Sequence, residues 1–247
     1  MQITIITGGS RGIGRATARA MAEQGNGIIL TYNANAEAAE AAVAEIAAVG
    51  GQAVALPLDV SRTQTFGAFR QTVEAALEGT FEQDGFDILV NNAGYGLFAP
   101  IETVNEAQFD GLFGVHLKGP FFLTQALLPL MRTGGQILNI CSATSRVATA
   151  GVAPYAAFKG GLEVLTRYMA KEFGPRGLRA NAVAPGAIRT ELGGGIGPEF
   201  EALLAGQTAL GRIGEADEVG RMIASLASPA MGWVNAQTIE VGGGYCI

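Results

Sequence analysis

The sequence predicts an α/β fold, a doubly wound sheet of mostly parallel strands with helices on both faces. Three observations carry that prediction. Short β-rich runs alternate with longer alanine-rich helical patterns along the whole chain. The strand runs hold few charges and no in/out alternation, as strands buried on both faces do. No Ser/Pro/Gly-rich linker or internal repeat divides the 247 residues, so 1–247 reads as a single domain. With 49% hydrophobic and 15% charged residues, the chain has ample material for a core.

The elements follow in order. "ITIIT" (3–7) is the first strand, and the glycine-rich "TGGSRGIG" (7–14) turns it into a helical pattern near 13–24. "GIILTY" (27–32) precedes a helix at 36–48, and "QAVALPLDV" (52–60) precedes one at 62–78. "DILVNNA" (87–93) leads into one long helical stretch, 104–131. "GQILNICS" (135–142) is followed by a helix at 154–173, and "LRANAVAP" (178–185) is the sixth strand. A helix near 215–227 and "QTIEV" (237–241) complete the alternation. Right-handed crossovers would gather the C-terminal strand ends on one edge, where ligands bind in such sheets. "RTELGGGIGPEFEALLAGQ" (189–207) overhangs that edge. It reads as a substrate-covering flap at about 190–207 or as a plain surface loop, and its length favours the flap.

Charge and cysteine content exclude several classes. Acidic residues outnumber basic ones, 22 to 16, for a net charge of −6, which argues against nucleic acid as a partner. Cys141 and Cys246, the only cysteines, make no disulfide framework. The N-terminus lacks the features of a secretory signal, and no apolar run approaches the ~18 residues of a membrane span. The expectation is a cytoplasmic protein with no membrane partner.

The glycine turn has the chemistry of a phosphate site. Gly8 permits a sharp exit from the strand, Gly12 leaves the backbone bare for a pyrophosphate, and Gly14 lets the helix approach the sheet. The helix N-terminus offers free N–H groups and a partial positive charge. The spacing departs from G-x-G-x-x-G. An acid at the end of the second strand would select NAD(H) by holding a ribose hydroxyl. Here Tyr32 stands about there, Asn33 follows, and no carboxylate appears before Glu37. Arg11 lies inside the turn beside Ser10, suited to a 2′-phosphate. NADP(H) is therefore favoured over NAD(H). Asp59 and Val60 would suit an adenine. Asn92, Ala93 and Gly94 put small groups where the ribose–nicotinamide linkage would lie.

"CSATSRVATAGVAPYAAFKGG" (141–161) holds the reactive candidates. Tyr155 and Lys159, four apart, share a helix face. Ser142 ends the fifth strand on the same edge as the glycine turn. A free tyrosine titrates near pH ~10, and a nearby ammonium group would lower that value. Such a phenol can give a proton to a ketone oxygen or take one from an alcohol, with Ser142 orienting the oxygen and Lys159 also reaching ribose hydroxyls. An isolated Tyr-x-x-x-Lys is usually a core edge with a snorkelling lysine. The serine and the nucleotide turn on the same edge make the difference.

Together "TGGSRGIG", "LDV" (58–60), "NNAG" (91–94), Ser142 with "YAAFK" (155–159), "NAVAPGAIRT" (181–190) and "VGGG" (241–244) resemble the short-chain dehydrogenase/reductase family, in particular 3-oxoacyl-carrier-protein reductases and bacterial ketoreductases. The resemblance spans essentially the whole chain. It implies a Rossmann-like domain with a seven-stranded sheet, direct hydride transfer without a metal, and a homotetramer. It implies catalytic roles for Ser142, Tyr155 and Lys159. It extends the cofactor contacts through Ile13, Pro185, Gly186, Ile188 and Thr190, with the Ile188 backbone meeting the carboxamide. The family's tetrad asparagine is replaced by His116, the only histidine. That position keeps a helix kink and a water linked to the lysine in the family. The histidine is expected near Lys159, either as a titratable link that tunes the pH optimum or as a packed helix residue.

The expected pocket is mainly apolar: Tyr95, Gly96 and Leu97, then Ala143, Thr144, Val147 and Ala148, then Gly186, Ala187 and the flap. Arg146 is its one fixed cation. A small apolar carbonyl or alcohol suits it. No Lys/Arg cluster marks a carrier-protein dock. The reading is an NADPH-dependent carbonyl reductase. Its rivals are an NAD(H)-dependent alcohol or steroid dehydrogenase, a non-catalytic dinucleotide-sensing regulator, and a lyase or dehalogenase on the same fold.

Overall fold

A computed structural model describes residues 1–192 and 194–247. Its strands are β1 (Ile3–Ile6), β2 (Gly27–Tyr32), β3 (Ala53–Pro57), β4 (Phe86–Asn91), β5 (Met131–Ile140), β6 (Arg179–Pro185), β7 (Ile188–Arg189), β8 (Gly214–Glu215) and β9 (Thr238–Val241). Its longer helices are α1 (Gly12–Glu23), α2 (Ala36–Ala48), α3 (Phe66–Phe81), α4 (Glu106–Phe113), α5 (Gly119–Leu127), α6 (Ala153–Phe173), α7 (Pro198–Gly206) and α8 (Ala216–Ala227). Seven strands form a parallel sheet in the order β3-β2-β1-β4-β5-β6-β9, and β7 pairs with β8 apart from it.

Adjacent strand residues point to opposite faces, and both faces are covered. Ile3, Ile5, Ile29, Leu89 and Ile137 pack beneath α3, α5 and α6, with Val73, Leu77, Leu123 and Met169. Ile6, Ile28, Leu30, Val90 and Leu138 pack beneath α1, α2 and α8, with Met21, Ile46 and Ile223. This explains why the strand sequences carry no polar alternation. The chain runs outward from β1 to β3, then returns to the other side of β1 as β4. The crevice at that reversal is where the sheet offers a ligand site.

The predicted elements recur with shifted ends. The third strand stops at Pro57 rather than at 60, although the Leu58 N–H still reaches Tyr32 O at 2.8 Å. The fourth stops at Asn91 rather than at 93. The stretch predicted as one helix over 104–131 is interrupted. It starts with an Asn105–Gln108 capping box, opens into a π-helical turn over Gly114–Lys118, and resumes as α5. The sequence supplies the cause: Pro120 has no N–H to return to the carbonyl four residues back. The Gly119 N–H instead closes a wider ring on Gly114 O. Part of the flap region is helical, as α7. Among the described residues, no helix is long and apolar enough to cross a membrane.

Candidate active site

The glycine turn lies at the crevice. Thr7, at the end of β1, organises it: its hydroxyl accepts the N–H groups of Asn92 and Ala93, both at 2.9 Å. The Asn92 side-chain amide donates to Thr7 O (2.8 Å) and Gly8 O (3.1 Å). Asn92 therefore braces the turn through its amide, a role the sequence reading did not give it, and Thr7 was missed as its partner. A Cβ on Gly14 would lie 2.3 Å from Gly8 O, so only glycine lets α1 start this close. Gly12 adopts φ +54°, and a Cβ there would meet nothing nearer than Thr190 Cγ2 at 3.7 Å. The backbone between strand and helix is thus bare on its outer side, a cradle that fits a pyrophosphate.

Around it stand the remaining cofactor candidates. Ser10 is half-buried, and Ile13 packs partly buried on the core. Tyr32 ends β2 half-buried, with Asn33 exposed beyond it. Asp59 lies two residues past β3. Its Oδ1 accepts from Ser61 N (2.9 Å) and Ser61 Oγ (2.7 Å), and Val60 is buried. Pro185 ends β6, Gly186 follows, and Ile188 is held by the β7–β8 pairing opposite Gly214. Arg11 is exposed and meets Glu191 at 3.4 Å, a partner unforeseen from the sequence. With Thr190 above Gly12, residues 190–191 bring the base of the flap onto the glycine turn.

Tyr155 and Lys159 lie in α6, on one face. Lys159 is buried, and its ammonium donates to Ile140 O at 2.6 Å. It lies 5.6 Å from the centre of the Tyr155 ring. Ser142 Oγ accepts from Thr144 N (3.2 Å) and Thr144 Oγ1 (2.9 Å), which leaves its own proton free to donate. Its hydrogen bonding to the Tyr155 oxygen pulls the phenol's pKa down. Burial is the larger influence and pushes Tyr155 up to about 12. The expected loosening of that proton by Lys159 is therefore corrected. Burial also draws Lys159 down to about 8.

His116 sits in the π-helical turn, 1% exposed, edge-on to Tyr155 with ring centroids 4.9 Å apart. Its Nε2 lies 2.9 Å from Tyr95 O, which requires that nitrogen to donate. Nδ1 is then a lone pair, and no protein group satisfies it. Burial and the Lys159 charge lower the ring to about 3. Of the two readings of His116, this environment fits the packed helix residue: the lowered pKa leaves the imidazole neutral near pH 7, and its one N–H ends on a carbonyl. The expected nearness to Lys159 holds, since that charge acts on it.

The pocket residues meet only in part. Ala143, Val147, Ala187 and Leu204 share one apolar cluster with Ile213 and Tyr245. Tyr95 is 37% exposed on the other side. Arg146 turns away from the cleft, binding Glu240 with both arms (3.0 and 2.6 Å). It also holds the carbonyls of Tyr245 and Cys246, which the sequence did not signal.

A family profile described as enoyl-(acyl carrier protein) reductase matches residues 8–246. An oxidoreductase of Methylorubrum extorquens is 37% identical over 246 residues, covering 98% of this chain and 97% of that protein. The 3-oxoacyl-[acyl-carrier-protein] reductase FabG of Staphylococcus aureus is 35% identical over 243 residues, covering 97% and 96%. The angucycline C-6 ketoreductase LanV, solved with bound NADP, superposes with a TM-score of 0.95 at 30% identity, covering 99% of this chain and 95% of that one.

Proposed function

This chain belongs to the short-chain dehydrogenase/reductase family and is an NAD(P)-dependent oxidoreductase, and from that premise we propose that it is an NADPH-dependent carbonyl reductase. The observation that carries the reading is the convergence of Ser142, Tyr155 and Lys159 on the edge that bears the bare glycine turn. A bound nicotinamide dinucleotide would supply the hydride for the carbonyl carbon.

The residues divide the remaining work. The turn from Gly8 to Gly14, with the α1 N-terminus, would hold the pyrophosphate, and Arg11 the 2′-phosphate. Asp59 and Val60 would hold the adenine. Gly94, Lys159, Ile188 and Thr190 would hold the nicotinamide half. Ser142 donates a hydrogen bond to the substrate oxygen and fixes its direction, keeping its own proton. Tyr155 gives its proton to the same oxygen as negative charge develops there. Burial keeps the phenol protonated, which is the state reduction needs. Lys159 holds its place through Ile140 O, and His116 acts as a neutral packing and hydrogen-bonding member. The flap at about 190–207 covers the substrate.

FabG and LanV support the reductive direction, and the NADP of LanV supports the cofactor. The apolar lining supports a small apolar ketone. Exposed Phe109, Phe113, Phe121, Phe122, Val164 and Tyr168 on α4, α5 and α6 support association into a homotetramer, which light scattering tests. A cytoplasmic site of action belongs to this reading, and cell fractionation tests it. The decisive assay compares initial rates with NADPH and NADH over a panel of ketones. Faster turnover with NADH would favour an alcohol or steroid dehydrogenase, and no turnover with either would favour a dinucleotide-binding regulator.

A further inference from the structure

A small apolar cluster stands outside both sheet cores, at the strand edge beside Ser142. Its buried members are Ala143, Leu204, Ile213 and Tyr245. They come from the exit of β5, the flap helix, the loop after it and the C-terminal tail. Tyr245 is the largest of them and the deepest contribution of the tail, at 7% exposed. A Cβ on Gly186 would lie 3.2 Å from the Tyr245 Cβ. The base of its side chain is therefore close against the segment that follows β6, and it shares one apolar cluster with Ala143, the residue that follows Ser142.

The tail is fixed in this position. Arg146 donates to Tyr245 O at 2.9 Å and Cys246 O at 3.1 Å, while Glu240 holds the guanidinium in place. Ala209 N and Leu210 N donate to Gly244 O and Gly243 O, both at 3.1 Å, and Cys246 N to Gln207 O at 2.9 Å. The loop that ends the flap is thus laced to the tail. The opposite rim is different. Tyr95 and Phe98 are 37% and 68% exposed, on a loop joined to the Ser142 side by Ala99 N to Gly151 O at 2.8 Å. The cluster beside Ser142 is buried and apolar, whereas the Tyr95–Phe98 loop is exposed and aromatic.

We propose that Tyr245 and the tail wall off a small subsite beside Ser142, so that the enzyme takes ketones with one short alkyl group and one bulky, aromatic group. The short group lies toward Ala143 and Tyr245, and the aromatic group toward Tyr95 and Phe98. This assignment rests on the carbonyl reductase reading. It makes Tyr245 a specificity-determining residue with no part in the proton chemistry.

The test uses acetophenone, propiophenone and butyrophenone, which share the aromatic group and lengthen the alkyl one. In a filled apolar pocket each added methylene costs about 10-fold in kcat/KM. The wild type should fall by about that factor per step. Tyr245→Ala should flatten the series, Tyr245→Leu should flatten it in part, and Tyr245→Phe should keep the wild-type slope. NADPH affinity, followed by fluorescence, should stay constant in all three and reports that each is folded. A slope unchanged in Tyr245→Leu and Tyr245→Ala overturns the assignment, and if the alanine variant does not fold, the leucine variant decides alone. No turnover of any member by the wild type contradicts the reductase reading, and the assignment falls with it.

Discussion

The ammonium group of Lys159 donates a 2.6 Å hydrogen bond to the carbonyl oxygen of Ile140, the last residue of β5. That bond ties α6 to the strand that delivers Ser142, so the serine and the Tyr155–Lys159 face keep one relative position. It also leaves a cation in a nearly closed environment, and burial draws Lys159 down to about 8.

Stability should therefore depend on pH in a stated direction. Lys159 starts from 10.5 and falls to about 8 in the fold. Between those values the unfolded chain binds one more proton than the folded one, so stability rises with pH. Over the full window the effect is on the order of 3 kcal/mol. Cys141 acts oppositely, since burial raises it from 9.0 to about 12, so the rise is clearest between pH 8 and 9. Urea unfolding on either side of pH 8 should show the wild type gaining on Lys159→Met as pH increases. Parallel curves would contradict the buried, depressed ammonium.

His116→Asn should leave the shape of the pH–rate profile unchanged. The imidazole, lowered to about 3, carries no charge that the working range can remove. The asparagine loses the edge contact with Tyr155, and kcat/KM should fall by no more than about tenfold. A shifted midpoint in the profile would show that the histidine titrates during turnover.

Arg11→Ala should weaken NADPH binding by about 10-fold or more and leave NADH nearly unaffected, because a charge-assisted bond to a 2′-phosphate is worth about 1.5–3 kcal/mol. Isothermal titration with each dinucleotide measures it. Its surface pair with Glu191 is exposed on both sides and costs little to give up. Equal losses for both dinucleotides would remove Arg11 as the selector.

The strands and helices were legible because their signals are local. Residues 3–6 and 27–32 are apolar on both faces, as sandwiched strands must be. The site was legible where spacing on one helix, or succession from strand to turn, brings groups together: Tyr155 with Lys159, and Gly8 with Gly12 and Gly14. What stayed hidden depends on distant partners. Asn92 braces the turn only because Thr7 lies 85 positions away in the chain and beside it in the sheet. Arg146 reaches Tyr245 across 99 positions. The direction of the Tyr155 shift is hidden in the sequence because it turns on burial, and a sequence shows the neighbouring cation without the depth of the phenol. The break in the 104–131 helix did have a local sign, Pro120, whereas the histidine's neutrality rests on its burial and on the Lys159 charge, which only the fold brings together.

The most direct test of the account is Tyr155→Phe, assayed for NADPH consumption with a ketone that the wild type reduces. The variant removes the proton donor and keeps the ring against His116. The account predicts a loss of about 100-fold or more in kcat, with NADPH affinity unchanged. Turnover near the wild-type rate would contradict it.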